Sequence, residues 1–344
     1  MNDYEITFLS QSDVRQASGF DMNQAIHVME RVFALHDSGD YVLPNKTVLR
    51  WGDNESETVI GRINSMPGYI GGEFNACGIK WISSSPQNPF KRGLPRAAGL
   101  IVLNDPETLL PIAVMDGTLI SAMRTGANSG VAAKYLARPN SRVLGLIGAG
   151  VQNRTQYMSL STVLPHLETV KVYDVDVSRA QRFVKEMSTM KPMTFEVVPN
   201  AEEAVRESDV FVTATVTKNP IVKAEWIREG SLYVHVGSNE CHFEVIEQTD
   251  KIVVDDWTEL KHRGVETISI MYQEGRFDEN RIYAQLGEVV NGKKMGRENE
   301  HEKIYFNSVG LGIEDVALAK EVLSYARIHK IGKKINLWDA AVFV

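Results

Sequence analysis

Cysteine and long apolar runs are scarce in this sequence, and each shortage argues against a class of protein. The two cysteines, Cys77 and Cys241, form no CxxC pair and no cluster with histidine, which argues against a disulfide framework and a structural zinc site. No apolar run approaches the roughly 20 residues that a membrane-spanning helix needs. The opening residues MNDYEITF carry acids and no apolar stretch, so we expect no secretory signal. We therefore expect a cytoplasmic protein without a bound metal.

Basic residues are also fewer than acidic ones, 37 against 44. The net charge of −7 and the pI near 5.7 argue against a nucleic-acid partner. An apolar content of 43% and a charged content of 24% are ordinary for a soluble globular protein. Because 344 residues exceed what one hydrophobic core usually supports, we expect two domains.

Two hydrophobic patterns divide the chain. In about the first 130 residues, helical patterns over Asp21–His36 and Met115–Ala137 flank strand-like runs at Thr58–Met66, Ala76–Ser83 and Leu100–Leu103. After Ser141, short apolar strands alternate with helices, which predicts a parallel sheet with right-handed crossovers. These strands are predicted at Arg142–Ile147, Thr169–Tyr173, Thr194–Val198, Val210–Thr215, Ser231–Val236 and Lys251–Val254. The last part of the chain becomes helical again, over Ile313–His329.

A glycine turn follows the first of those parallel strands. Gly148 allows a tight turn, and Gly150 allows the backbone to approach a pyrophosphate at the start of the next helix. Asn153 stands where a third glycine or alanine is usual, and a plain structural turn is the alternative interpretation. The next strand ends at Asp174, whose carboxylate can bind an adenosine ribose and would repel the 2′-phosphate of NADP. The pattern therefore favours NAD.

Basic side chains in the N-terminal half suggest chemistry outside the dinucleotide motif. Lys80 lies in an otherwise apolar strand, either as an edge lysine that reaches water or as a lysine beside a substrate carbonyl or imine. In the second case neighbouring cations would lower its pKa. Arg124 sits among small residues on an apolar helix, which suits a phosphate or carboxylate clamp. The candidate neighbours of Lys80 are Arg62, Lys46, Arg96 and Arg124.

Other ionisable residues receive plainer interpretations. His235 lies in a strand beside the cofactor edge, but a buried core histidine is the simpler interpretation. Two acidic pairs, Asp255-Asp256 and Glu314-Asp315, come without a set of further metal ligands. We expect helix capping and solvent exposure to explain both pairs.

Several stretches together resemble the ornithine cyclodeaminase and μ-crystallin family, through essentially the whole chain. They are Gly78–Trp81, Leu103–Thr108, Ser121–Thr125, Gly148–Gln152, Val212–Thr215 and Gly310–Asp315. Within the family, four segments are most similar to dehydrogenases that release 2,3-diaminopropionate from a tricarboxylate amine for siderophore biosynthesis. These segments are Asn104–Thr108, Pro111–Met115, Val253–Trp257 and Gly296–Glu298.

The resemblance implies a role for particular residues. It implies that Lys80 and Lys46 hold a substrate carboxylate and that Val309 touches the substrate. It also implies that the domain built from both termini pairs two protomers into a homodimer. The residues that it implies for the nucleotide, beside the glycine turn, are Arg124, Val151, Gln152, Asp174, Thr217, Val236 and Ser308.

The sequence departs from the cyclodeaminase pattern in three places. Asn239 occupies the position of the catalytic aspartate, and an amide cannot act as a base. Asn64 replaces a glutamate that binds substrate, and Arg96 replaces a threonine near the cofactor. The first two changes remove acids that would bind the amines of ornithine. Arg96, with Arg62, adds positive charge that suits a substrate with several carboxylates.

The expected fold is α/β, with a Rossmann NAD-binding domain over residues 131–309 inserted in a mixed α+β substrate-binding and dimerisation domain, residues 1–130 and 310–344. The expected activity is the NAD-dependent oxidation of a multi-carboxylate amino acid, with Lys80 and Asn239 at the catalytic positions and Lys46, Arg62, Lys80, Arg96 and Val309 around the substrate. The alternatives are an ornithine cyclodeaminase, a ketimine reductase, an alanine dehydrogenase, and an NAD-bound binding protein with little turnover.

Overall fold

The computed structural model describes residues 3–52, 61–217 and 219–342, and the chain forms two compact units. The first unit combines Met1–Arg124 with Leu311–Val344, and the second consists of Thr125–Gly310. The sequence-based divisions, after residues 130 and 309, lie close to these along the chain. The first observed division comes earlier because it falls inside a continuous helix, Gly117–Leu136.

The strands of the described residues are, in chain order, β1 Tyr4–Leu9, β2 Tyr41–Val42, β3 Thr47–Trp51, β4 Gly61–Ile70, β5 Ala76–Ser84, β6 Ala97–Asn104, β7 Pro111–Asp116, β8 Val143–Ile147, β9 Thr169–Tyr173, β10 Thr194–Val197, β11 Val210–Thr213, β12 Leu232–His235, β13 Lys251–Val254, β14 Ile282–Gln285, β15 Ile304–Asn307 and β16 Lys333–Trp338. The α-helices are α1 Gln11–Val14, α2 Met22–Ser38, α3 Asn88–Lys91, α4 Gly117–Leu136, α5 Val151–Val163, α6 Val177–Met187, α7 Ala201–Val205, α8 Phe243–Glu247, α9 Trp257–Lys261, α10 Thr267–Gln273, α11 Leu286–Val290 and α12 Gly312–His329.

The first unit is built on a mixed sheet in the order β16-β1-β7-β6-β5-β4-β2, with β3 also paired to β4. Helix α12 packs on β4, β5 and β6, and α2 packs on α12. The registers align Met66, Lys80, Ile101 and Met115 as one row across the sheet, and all four are buried. Helix α12 and this row form the core of the unit, as the expected α+β class requires.

The second unit is built on a parallel sheet in the order β10-β9-β8-β11-β12-β15-β13-β14. The strand order reverses between β8 and β11, which makes the carboxyl ends of these two strands the ligand-binding edge of a Rossmann fold. Six strands were predicted here within one or two residues of their observed ends. The α/β fold class is confirmed. Within the described ranges, no helix is long and apolar enough to cross a membrane.

Some elements differ from the sequence-based prediction. Met115, predicted as the start of a helix, lies in β7, because β6 and β1 pair with it on either side. The chain does not end in a helix, since β16 follows α12 and pairs antiparallel with β1. The predicted strand Thr58–Met66 is seen as β4, while its residues 58–60 lie outside the described residues.

Candidate active site

The glycine turn lies at the carboxyl end of β8, as predicted. Gly148 has a φ of 96°, and a Cβ atom there would meet the carbonyl oxygen of Ala214 at 2.9 Å. Both constraints require glycine. Gly150 is the N-cap of α5, and a Cβ built on it would contact nothing within 4 Å. The backbone at Gly150 is therefore open to the close approach of an anion at the start of α5, as an anion-binding turn requires.

Asn153 explains the apparent defect in the glycine pattern. Its side chain is fully buried and donates to the carbonyl oxygens of Ile147 at 2.9 Å and of Gly148 at 2.5 Å. A third glycine would leave these two carbonyls without that donor. At the position where a third glycine would allow the helix to pack closely, Asn153 instead stabilises the turn by hydrogen bonds.

Other residues predicted to bind the nucleotide follow the carboxyl ends of neighbouring strands. Asp174 follows β9, and its carboxylate accepts hydrogen bonds from the N–H groups of Ala149 at 2.8 Å and Asp176 at 2.9 Å. Thr217 lies in the loop after β11, where its carbonyl oxygen accepts a bond from Ser238 Oγ at 2.9 Å. Val236 follows β12 and is half-buried. We call this row of loops the cofactor edge.

The first turn of α5 completes the predicted cofactor edge. Val151 is 63% exposed at the start of the helix. The Oε1 atom of Gln152 is buried without a hydrogen-bond partner among the described residues. A buried, unsatisfied oxygen costs free energy unless a ligand or water donates to it. The open turn and this oxygen fit a dinucleotide.

Ser308 is held by a residue that the sequence analysis assigned to capping. Asp255 is fully buried, and its Oδ2 accepts from Ser308 Oγ at 2.9 Å and from the N–H of Gly310 at 2.7 Å. The capping role is right for Asp256, which is the N-cap of α9, and wrong for Asp255. Asp255 instead fixes the loop that carries Ser308 and the half-buried Val309.

Asn239 and His235 lie at the end of β12 and beyond it. Asn239 Oδ1 accepts from Thr267 Oγ1 at 3.1 Å. His235 is fully buried, bonded to the Tyr305 hydroxyl at 2.5 Å and to the carbonyl oxygen of Ser238 at 2.6 Å, and burial lowers its pKa. The prediction of a core histidine is confirmed.

Lys80 lies in the first unit and is buried in the middle of the sheet. Strand β5 is flanked by β4 and β6, and Lys80 is only 1% exposed, so the alternative of an edge lysine reaching water is wrong. Its Nζ lies 2.5 Å from Asp315 Oδ2 and 3.2 Å from Ser121 Oγ. Burial and the Arg124 guanidinium lower the pKa of Lys80 to about 8, although Asp315 acts to raise it. Both protonation states are therefore accessible near neutral pH.

Arg124 binds Glu314 and Asp315, the two acids that were expected to cap a helix or to be exposed to solvent. Its Nη1 lies 2.8 Å from Glu314 Oε2, and its Nε lies 3.2 Å from Asp315 Oδ1. Glu314 and Asp315 are both fully buried, so capping and solvent exposure do not explain them. Their sequence signal was two adjacent acids in a helix that is otherwise apolar around them. Lys80, Arg124, Glu314 and Asp315 are called the buried charge cluster below.

The sheet also positions the other predicted cations. Arg62 shares the face of Met66 on β4, and the β4–β5 register puts Lys80 opposite Met66 on that same face. Lys46 immediately precedes β3 and is half-buried. Side chains alternate between the two faces of a strand, and this alternation puts Lys46 on the same face as Arg62 and Met66. Arg96 lies on an exposed bend before β6. The alternation of side chains along β6 assigns this position to the sheet face opposite Lys80. Strand geometry thus groups Lys46, Arg62 and Lys80 but not Arg96.

The two units have different chemistry. The second unit offers a dinucleotide-binding turn, and the first offers buried and half-buried cations. No group of three potential metal ligands occurs among residues 3–52, 61–217 and 219–342. The glycine turn and the cofactor edge are the features of a dinucleotide-binding enzyme.

Comparison with known proteins agrees with this class. The profile of the Ornithine cyclodeaminase/mu-crystallin family matches residues 5–330, and the chain belongs to this family. It is 38% identical to the N-((2S)-2-amino-2-carboxyethyl)-L-glutamate dehydrogenase of Staphylococcus aureus, over 97% of this chain and 99% of that protein.

Two solved structures have the same fold over nearly the whole chain. One is Δ1-pyrroline-2-carboxylate reductase of Thermococcus litoralis with NADH and L-proline, at 39% identity and a TM-score of 0.88, covering 96% of this chain and 100% of that one. The other is an archaeal alanine dehydrogenase dimer with bound NAD, at 38% identity and a TM-score of 0.88, covering 97% and 100%.

Proposed function

We propose that this chain oxidises N-(2-amino-2-carboxyethyl)-L-glutamate with NAD and releases 2,3-diaminopropionate and 2-oxoglutarate. The Cα atom of the glutamate part loses a hydride, and the nitrogen bonded to it loses a proton, which gives an imine. One water then hydrolyses the imine into the two products. The chain is an NAD-dependent oxidoreductase acting on CH–NH groups, and the proposal specifies its substrate. The similarity to the Staphylococcus aureus enzyme supports the particular substrate.

The observation that carries the proposal is the set of cations on one face of the first sheet. Lys46, Arg62 and Lys80 share that face, and a substrate with three carboxylates offers a partner for each. A charge-assisted hydrogen bond contributes about 1.5–3 kcal/mol, so each pairing is significant for affinity. Ornithine has one carboxylate and a distal ammonium that would meet like charge. Arg96 is proposed as a further, more exposed contact.

The cofactor edge would hold NAD. Gly148, Gly150 and the first turn of α5 would receive the pyrophosphate, and Asp174 the adenosine ribose. The unsatisfied Oε1 atom of Gln152 would accept a hydrogen bond. The residues that would line the nucleotide are Val151, Thr217, Val236 and Ser308. When bound, NAD accepts the hydride.

Lys80 is proposed to orient a carboxylate and to transfer a proton. Its pKa of about 8 suits both roles, because proton transfer is most efficient when the pKa of the group lies near the working pH. Arg124 is proposed to act toward the nucleotide from its anchored position on Glu314 and Asp315.

Asn239 is proposed to donate a hydrogen bond to a substrate oxygen. Thr267 Oγ1 accepts from the N–H of Cys241 at 3.4 Å, so its own hydrogen is donated to Asn239 Oδ1. That bond orients the amide and leaves Nδ2 as the donating end. Nδ2 favours a carboxylate or carbonyl oxygen over an ammonium, which supports a multi-carboxylate substrate. Val309, on the loop held by Asp255, is proposed to touch the substrate.

The deciding experiment offers the enzyme NAD with each candidate substrate and follows NADH absorbance and products by mass spectrometry. We expect NADH from the tricarboxylate amine, with 2-oxoglutarate in equal amount, no proline from ornithine and little NADH from alanine. Arg62→Gln should raise KM for the tricarboxylate more than it lowers kcat, because a cation has been lost from the binding face. Proline from ornithine, with the tricarboxylate inert, would replace this proposal with a cyclodeaminase.

We also propose that the protein acts as a cytoplasmic homodimer. Its two cysteines are free thiols, as in a reducing compartment. On the sheet face opposite Lys80, Trp81 and Leu100 pair across β5 and β6 and are 55% and 40% exposed. An apolar face of this kind suits a second copy of the chain, and the archaeal alanine dehydrogenase structure is a dimer.

A further inference from the structure

The buried charge cluster contains one carboxylate that contacts two cations with different proposed roles. Asp315 Oδ2 lies 2.5 Å from Lys80 Nζ, and Oδ1 of the same side chain lies 3.2 Å from Arg124 Nε. Lys80 is proposed to meet substrate, whereas Arg124 is proposed to act toward the nucleotide. Asp315 itself is fully enclosed and has no exposed surface.

Among the residues that the structure describes, three charged groups act on Lys80. Helix α12 supplies Asp315 and Glu314, α4 supplies Arg124, and the hydroxyl of Ser121 on α4 lies 3.2 Å from the lysine Nζ. Two cations and two anions give a cluster without net charge. A buried charge is tolerated only with such compensation, and removal of one partner leaves the other uncompensated.

We propose that Asp315 is the positioning residue of the site, which keeps Lys80 protonated and aimed while it anchors Arg124 at a fixed distance. Asp315 has no contact with solvent, so it acts through these two cations and not by touching substrate. This inference rests on the proposed role of Lys80, but the geometry behind it does not depend on which amino acid is oxidised.

Glu314 provides a matched comparison within the same turn of helix. It is equally buried and pairs with Arg124, and it acts on Lys80 through its charge, whereas Asp315 contacts Lys80 directly. If Asp315 positions Lys80 directly, the loss of the Asp315 charge should change the titration midpoint of Lys80 more than the loss of the Glu314 charge. Both side chains are fully buried, and the two residues are neighbours in the first turn of α12.

The test measures the titration of Lys80 in the full-length protein by NMR of lysine labelled with ¹³C at Cε, assigned with Lys80→Met. In Asp315→Asn we expect the midpoint to fall by at least about one pH unit, because an opposite charge has been removed from contact. Glu314→Gln should cause a smaller fall, and Asp315→Glu, which keeps the charge, should lie between the parent and Asp315→Asn. Asp209→Asn, which removes a carboxylate from arginine pairs in the second unit, should leave the midpoint unchanged.

The descending limb of the pH profile of kcat/KM should move by the same amount as the NMR midpoint. The NMR measurement needs no substrate, so an inert tricarboxylate would refute the proposed function without affecting this test. An unchanged midpoint in Asp315→Asn overturns the inference. If that variant does not fold, an unchanged midpoint in Asp315→Glu together with a full-sized shift in Glu314→Gln overturns it instead.

Discussion

Asn153 Nδ2 lies 2.9 Å from the carbonyl oxygen of Ile147, so the helix that follows the glycine turn also holds the turn closed. We expect Asn153→Ala to weaken NAD binding and to destabilise the fold by about 1–3 kcal/mol, because the buried Gly148 carbonyl loses its side-chain donor and the Ile147 carbonyl keeps only the N–H of Ala214. Thermal unfolding and calorimetric NAD titration measure both effects. Thr162→Ala, on the same helix, should leave NAD affinity unchanged, and parent-like affinity in Asn153→Ala would mean that the turn does not depend on the amide.

Asp174 should decide between NAD and NADP. Its carboxylate is fixed at the end of β9 by two backbone N–H groups and would repel a 2′-phosphate. We expect NAD to bind at least tenfold more tightly than NADP, about 1.4 kcal/mol, and Asp174→Ser to narrow that ratio. Asp176→Ser retains a helix N-cap and should preserve the ratio. Equal affinities in the parent would exclude this role.

Lys80 should be essential for turnover but not for NAD binding. We expect Lys80→Ala to lower kcat/KM by at least about 100-fold, the usual contribution of a proton-transfer group. NAD affinity, measured separately by calorimetry, should change little because the glycine turn belongs to the other unit. Near-normal turnover in this variant would reduce Lys80 to a structural lysine.

The pH dependence of kcat/KM should follow the same lysine. Lys80 carries its positive charge below its pKa of about 8 and loses it above that value, so substrate binding should weaken as the pH rises through 8. Lys80→Arg keeps its charge over this range, so its lower activity should show no such fall. A fall at the same pH in Lys80→Arg would assign the titration to another group.

The proposed dimer can be tested at Trp81 and Leu100. We expect light scattering at micromolar concentration to report a dimer, and Trp81→Glu with Leu100→Glu to give a monomer by placing charges on the apolar face. Met190→Glu, at an exposed apolar position in the second unit, is the control and should remain dimeric. A monomeric parent protein would refute the assembly.

Local patterns predicted the second unit better than the first. Strands such as β9 and β13 are continuous apolar runs because a parallel sheet is covered on both faces, and both were predicted at their observed bounds. Strand β7 was missed because Met115 belongs equally well to the helical pattern that follows it. Strand β16 was missed because 333–338 is mostly exposed and is defined by its pairing with β1.

The candidate site was predicted as separate residues rather than as contacts. Lys80 and Arg124 stood out as cations in apolar segments, and the structure gives both the buried partners that such positions require. Their partners, Glu314 and Asp315, were not connected with them because long-range pairing leaves no local pattern. Asp255 was assigned to capping for the same reason, since its partners Ser308 and Gly310 lie more than 50 positions away along the chain.

The contact between Lys80 and Asp315 spans 235 positions along the chain, with the whole second unit between them. During synthesis on the ribosome, β5 emerges early, whereas α12 and β16 emerge only after the second unit has been made. Until α12 has been made, Lys80 lacks Asp315, its buried partner in the folded protein. The buried ion pair of Lys80 can therefore form only after α12 has been synthesised, so this part of the site is assembled later than the glycine turn of the second unit.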